Sequence, residues 1–172
     1  MSDIALPQMG LGMLARAMVR RPAARPLAAG GLVREFAFAG LDADHVAAYR
    51  TEMGFDDDAM PLTYVYLLAQ RAQLATMLSP QFPFSVAGMV HTGNNIILKA
   101  RPQPGQRLTL RTVAVPEPPT SRGAVYVRFD VAFRRDGEDL LHCESRYLAK
   151  RGQQRNAAGA PKAEHDQRWI GL

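Results

Sequence analysis

One histidine, a run of aspartates and a few amides and hydroxyls are the candidates for chemistry in this 172-residue chain. His91 stands in Val90-His91-Thr92-Gly93-Asn94-Asn95, a polar interruption of a stretch whose Val86, Val90, Ile96 and Leu98 otherwise read as core. Imidazole is the side chain that titrates near neutral pH, so His91 is the candidate general base; the plain alternative is a hydrogen-bonded strand histidine at a subunit contact. Asp58 closes the run Asp56-Asp57-Asp58 and is the candidate acid or base beside it, although three carboxylates there also suit the positive end of a following helix. Asn94 and Asn95 offer ligand contacts or satisfy buried backbone, because a buried polar group without a partner costs roughly 1–3 kcal/mol. Tyr64 and Tyr66 each carry a hydroxyl donor on an apolar body, and such tyrosines serve equally as packing residues with a wet tip.

Other chemistries lack their residues. His45, His91, His142 and His165 show no i,i+4 spacing and Cys143 is the single cysteine, so no metal site is expected. The sequence holds no Gly-x-Gly-x-x-Gly or Walker-type loop and no serine nucleophile elbow, and no cofactor is expected. A lone cysteine rules out an internal disulfide and points to a reducing, cytoplasmic setting. The net charge of +5 comes from the ends: residues 1–30 and 150–172 each carry +3, whereas 31–149 carries −1. A nucleic-acid binder needs a basic stripe on its folded face, so no nucleic-acid partner is expected. Apolar runs fall far short of the roughly 20 residues that a membrane-spanning helix requires, and no membrane partner is expected.

These residues need elements to hold them. Pro61 is placed for a first helical turn, and no Gly or Pro interrupts Leu62–Leu78. Leu62, Val65, Ala69, Ala72 and Ala75 recur at helical spacing, with Leu68, Leu74 and Leu78 widening the apolar face. Ser79-Pro80 ends the helix. A helix this apolar must be wrapped by strands. The spacing predicts a strand over Gly31–Ala39, with Leu32, Phe36 and Phe38 on one face, and a short helix capped by Asp42. Four long strands follow the central helix: Ser85–Ala100, Arg107–Val115, Ala124–Arg134 and Asp139–Lys150. In the third, Val125, Val127, Phe129, Val131 and Phe133 alternate cleanly with polar residues, and Asp136-Gly137 makes the hairpin turn to the fourth. There, Leu141, Cys143, Ser145, Tyr147 and Ala149 share one side. The last four strands can run as a meander, an α+β layer architecture. Residues 1–30 read as a basic arm, in which Leu11, Leu14 and Met18 can form a short amphipathic helix; 31–150 is one domain and 151–172 a polar tail, with Trp169 and Ile170 able to dock.

The order of elements resembles the hot-dog fold, a long helix wrapped by a curved antiparallel sheet. Locally the sequence resembles the MaoC-like acyl dehydratases and R-specific enoyl-thioester hydratases. Their signature is Asp-x-Asn-Pro, an aliphatic residue and His, then five residues and Ala or Ser. Here Asp58, Pro61, Leu62 and Ala69 match, whereas Met60 stands for the Asn and Thr63 for the His. Pro102–Gly105 followed by Leu108 also resembles the family's strand-turn-strand.

The resemblance, over about residues 31–150, implies a protein acting on 3-hydroxyacyl or enoyl thioesters of CoA or acyl carrier protein. With Thr63 in place of the dyad histidine, His91 is the replacement base, Asp58 or a tyrosine orients water, and Thr63, Tyr66, Asn94 and Asn95 contact substrate. His91 to Asn94 also resembles the His-x-x-Gln-like strand of non-catalytic halves in two-hot-dog dehydratases, where the histidine is structural. The alternatives are therefore a non-catalytic acyl-binding subunit of a dehydratase, or an acyl-CoA thioesterase. A hot dog usually pairs sheets edge to edge, which implies a homodimer or a hot-dog partner subunit.

Overall fold

In a computed structural model of the chain, which describes residues 4–28, 30–57 and 59–151, the central helix α3 spans Leu62–Met77. Its burial runs round most of the circumference: Tyr64, Val65, Leu68, Ala69, Ala72, Gln73, Thr76 and Met77 are all buried. Ala69 and Ala72 let the sheet approach closely, while burial of Val65 and Leu68 contributes roughly 1.5–3 kcal/mol each. The main apolar cluster sets these side chains against Phe36, Leu110, Val131, Phe133 and Leu141. A second cluster beyond the C-terminal end of α3 gathers Leu32, Met77, Phe82, Ala114, Val127 and Phe129.

The strands are β1 (Ile4–Ala5), β2 (Leu32–Phe38), β3 (Val90–Leu98), β4 (Leu108–Pro116), β5 (Val125–Arg135) and β6 (Glu138–Lys150). They form one sheet in the order β1-β2-β4-β5-β6-β3, antiparallel except for the β1–β2 pair. The alternation in β5 is realised: Val127, Phe129, Val131 and Phe133 face the helix and are fully buried. Asp136 (φ 50°) and Gly137 (φ 87°) form the two-residue turn into β6, whose positive φ angles match the twist of the strands they join. Gly31 (φ 77°) opens β2, where a Cβ would stand 2.5 Å from the Ala114 carbonyl oxygen. Helix α2 (Ala43–Met53) starts on Asp42, whose carboxylate accepts from the His45 amide at 3.0 Å.

Two expectations are corrected. The four later strands are not a full meander, because β3 crosses to the far side of β6 and only β4-β5-β6 run as neighbours. The segment holding Pro102 and Pro104 is therefore a crossover, not a hairpin turn. It is fixed by its own bonds: the Arg101 guanidinium donates to the Met60 carbonyl at 2.5 Å, and the Gly105 amide donates to that of Leu41 at 2.8 Å. Secondly, the Ser85–Ala100 stretch is not a core strand. Strand character begins at Val90, and as an edge strand β3 leaves Val90 42% and Ile97 57% exposed.

The N-terminal segment docks on the body. β1 lengthens the sheet beside β2, and Arg71 of α3 donates to the Pro7 carbonyl at 3.1 and 3.2 Å. Helix α1 (Leu11–Val19) forms, but the face carrying Leu11, Leu14 and Met18 is exposed and Ala17 is the buried side chain. Just after it, Arg20 donates to the carbonyls of Ser79, Phe82 and Phe84. Trp169, Ile170 and the rest of the C-terminal tail from residue 152 lie outside the described residues.

Candidate active site

The polar side chains of α3, β3 and β6 meet on the inner face of the sheet at its open edge. His91 lies opposite Tyr147 in the β3–β6 ladder, and their rings are 4.8 Å apart. The Tyr66 hydroxyl lies 3.3 Å from His91 Nε2 and 3.4 Å from Nδ1. Behind this pair runs a chain of directed bonds. Tyr147 donates to Gln73 Oε1 at 2.7 Å, Gln73 Nε2 donates to Ser145 Oγ at 2.8 Å, and Ser145 donates to Asn94 Oδ1 at 2.8 Å. The Cys143 thiol donates to the same Asn94 oxygen at 3.2 Å. Gln73 and Ser145 are buried to 1% and 0% exposure, so their partners offset the desolvation that an orphaned amide or hydroxyl would suffer.

A register shift makes this grouping. In a regular strand, residues three apart point to opposite faces. Between His91 and Gly93 the ladder slips by one residue, so His91 pairs with Tyr147 and Asn94 with Ser145, both facing α3. Thr92, the extra residue, bonds the Arg146 carbonyl at 3.0 Å. Such bulges re-aim a side chain by one position. Beyond it, Asn95 opposes exposed Glu144 and faces away from Asn94.

Burial sets the protonation of the supporting groups. It raises the Tyr66 and Tyr147 phenols above their usual range and pushes the Cys143 thiol up to about 11. All three are therefore neutral hydrogen-bond donors at physiological pH. The Tyr66–His91 contact itself lies open to solvent, so a ligand can reach the imidazole and the hydroxyl.

Several expected site residues stand elsewhere. Asp58 lies outside the described residues. Thr63, at the position of the family's histidine, is exposed on the first turn of α3, one turn before Tyr66. Met60 is buried in the main cluster and is structural. Tyr64 packs against His45 and Tyr49 and has no part in the His91 group. Gln73, Ser145 and Tyr147 join the site with no motif to mark them; each is a polar residue in the inward phase of its element, which is the signal that finds them.

No family model and no curated protein matches the sequence. Solved structures do share the architecture. The chain superposes on HtdX of Mycobacterium tuberculosis with TM-score 0.53 at 23% identity, covering 68% of this chain and 51% of that one. It superposes on the C-terminally truncated HadBC complex, a 3R-hydroxyacyl-ACP dehydratase of the same organism, with TM-score 0.54 at 16% identity, covering 70% and 97%. This chain thus spans about half the length of HtdX and nearly all of the HadBC chain. The chain has the hot-dog fold, the architecture that its sequence resembles.

Proposed function

We propose that the chain binds acyl thioesters of CoA or acyl carrier protein in the groove beside α3, and adds or removes water across the enoyl double bond. The observation that carries this reading is the Tyr66–His91 pair: a neutral phenol and an imidazole in contact, on one face, reachable from solvent. In the hydration direction, His91 takes a proton from water as the water oxygen bonds to the β-carbon. The π electrons move toward the thioester carbonyl, and the resulting enolate oxygen accepts from the Tyr66 hydroxyl. The Leu62 and Thr63 amides, which precede the first amides bonded to the Pro61 carbonyl, are assigned to add to that stabilisation. The proton held by His91 then goes to the α-carbon, and no net proton is consumed. Dehydration is the same path reversed. Asn94, whose side-chain oxygen accepts from Ser145 and Cys143, is assigned to thioester contact and Thr63 to the mouth of the groove, whereas Asn95, on the opposite face of β3, takes no part in it. Asp58 retains the water-orienting role that the motif assigns to it.

His91 sits on an edge strand bonded on one side only to β6, so the Tyr66–His91 pair stands at an unpaired sheet edge. Such an edge, with Val90 and Ile97 exposed, calls for a second hot-dog chain, whether another copy or a partner subunit. HadBC, itself a complex, supports that arrangement.

The test is hydration of crotonyl-CoA followed by ultraviolet absorbance. His91→Ala should lower turnover about 10²–10⁴-fold, the range for a positioned acid–base group, with Tyr66→Phe lowering kcat more than KM. Undiminished activity in His91→Ala refutes the assignment. A second reading, a non-catalytic acyl-binding subunit, rests on the exposed threonine where the motif has histidine. It predicts saturable acyl-CoA binding without turnover until a partner chain is added.

A further inference from the structure

On the opposite side of α3 from the Tyr66–His91 pair, the docked N-terminal segment forms one wall of an open cavity of about 500 Å³. Ala75, on its wall, follows Tyr66 by nine residues, which is about half a turn round the helix. The lining is mainly apolar, with Met13 of α1, Phe36 of β2, and Ala75 and Leu78. Two cations break it, Arg16 from α1 and Arg34 from β2, and the described lining holds no acid.

Arg34 is out of place by every rule of the sheet. It occupies the inward phase of β2, between buried Leu32 and Phe36. Its guanidinium lies over the Phe36 ring, 5.8 Å from the centroid, and among the described residues no carboxylate pairs with it. Its Nε is buried without a hydrogen-bond partner. Directly opposite in the ladder is Thr112, fully buried, whose hydroxyl also lacks a partner. Both atoms are sealed from solvent and Thr112 is not in the cavity wall, so what the cavity presents to a ligand is the remainder of the Arg34 guanidinium, a cation with no carboxylate partner among the described residues. The volume falls in the range of small-molecule pockets, about 300–1,000 Å³.

We propose that this cavity binds a single-chain amphiphile with an anionic head, namely a medium-chain carboxylate. Its carboxylate pairs with Arg34 and Arg16, and its alkyl chain lies along Met13, Phe36, Ala75 and Leu78. The head contact to the two cations is charge-assisted, made on the Arg34 side to the terminal nitrogens rather than the sealed Nε, while the chain removes apolar wall from water. Because α1 and β1 supply part of the wall, occupancy fastens the N-terminal segment to the body. This site stands independently of the groove at His91.

The experiment uses the full chain. Octanoate and octan-1-ol are compared by calorimetric titration, and tryptic cleavage after Arg16 and Arg20 is followed with and without each; the Arg21–Pro22 and Arg25–Pro26 bonds resist trypsin. Octanoate is expected to bind saturably, about tenfold or more tighter than octanol, and to slow cleavage of the arm. Arg34→Gln should abolish the preference for the acid. Gly12→Phe keeps both cations and puts a ring into the cavity from α1, where a Cβ meets nothing within 4 Å, and it should abolish binding of both. If Arg34→Gln does not fold, Arg16→Gln and Gly12→Phe decide. A cavity that holds only water gives no octanoate heat, and that result overturns the proposal. So does equal affinity for octanoate and octanol, or undiminished binding by Gly12→Phe.

Discussion

Replacing Gln73 with Leu tests whether one buried amide holds the His91 group in place. Gln73 is 1% exposed, accepts from Tyr147 at 2.7 Å and donates to Ser145 at 2.8 Å. Leucine fills a similar volume and makes neither bond. Each of the two contributes about 1 kcal/mol net. Ser145 is not orphaned, since it still donates to Asn94, whereas the Tyr147 hydroxyl loses its acceptor. The cost is therefore about 2 kcal/mol or somewhat more, short of the larger penalty of two unsatisfied buried groups. For a domain of this size that corresponds to a fall in Tm of about 4–8 °C. Urea unfolding of Gln73→Leu, Tyr147→Phe and the double variant should give a coupling of about 0.5–1.5 kcal/mol, because the two side chains share a bond. The Tyr147 ring stands 4.8 Å from that of His91, so freeing it should also reduce turnover in the crotonyl-CoA assay without changing the imidazole. Gln73→Leu as stable as the parent, or strict additivity with Tyr147→Phe, refutes the idea of a connected network.

Two further outcomes follow from titrating groups. Arg134 and His142 bond the Asp139 carboxylate and hold it at about 2, below its ordinary value. A depressed carboxylate stabilises fully above its unfolded pKa of about 3.9, and that stabilisation is lost as pH falls through about 2. The pair is near the surface and screened, so the contribution is about 1 kcal/mol or less, and Asp139→Asn should flatten the stability curve between pH 4 and 2 by that amount. Burial raises the Cys143 thiol to about 11. Stability tied to the neutral thiol is complete below the unfolded value of about 8.5, and falls as pH climbs toward the folded one. Ellman's reagent at pH 8 should therefore leave the native thiol unmodified and titrate it in denaturant. Rapid reaction in the native state would show that the Asn94 side of the network is open.

Periodicity and turn chemistry along the chain define most of the elements and their inner faces. The uninterrupted apolar run of α3 and the strict alternation of β5 each bury a surface large enough to outweigh any competing arrangement. The hairpin at Asp136-Gly137 follows from positive φ angles that few other residue pairs tolerate. His91 and Tyr66 were likewise legible as candidates, because their residue types are rare in apolar surroundings. The placement of β3 was not, since pairing with β6 across a long crossover depends on partners far away in sequence. Nor was the slip at Thr92, which turns His91 and Asn94 to one face and Asn95 to the other. Sequence periodicity describes a regular strand and contains no term for an inserted residue whose cost is met by a neighbouring carbonyl. Tertiary packing alone decided that Gln73, Ser145 and Tyr147 would meet between α3 and β6, and that Arg34 would face inward with no carboxylate partner among the described residues. Each arises from elements distant along the chain being forced together by the burial of the residues around them.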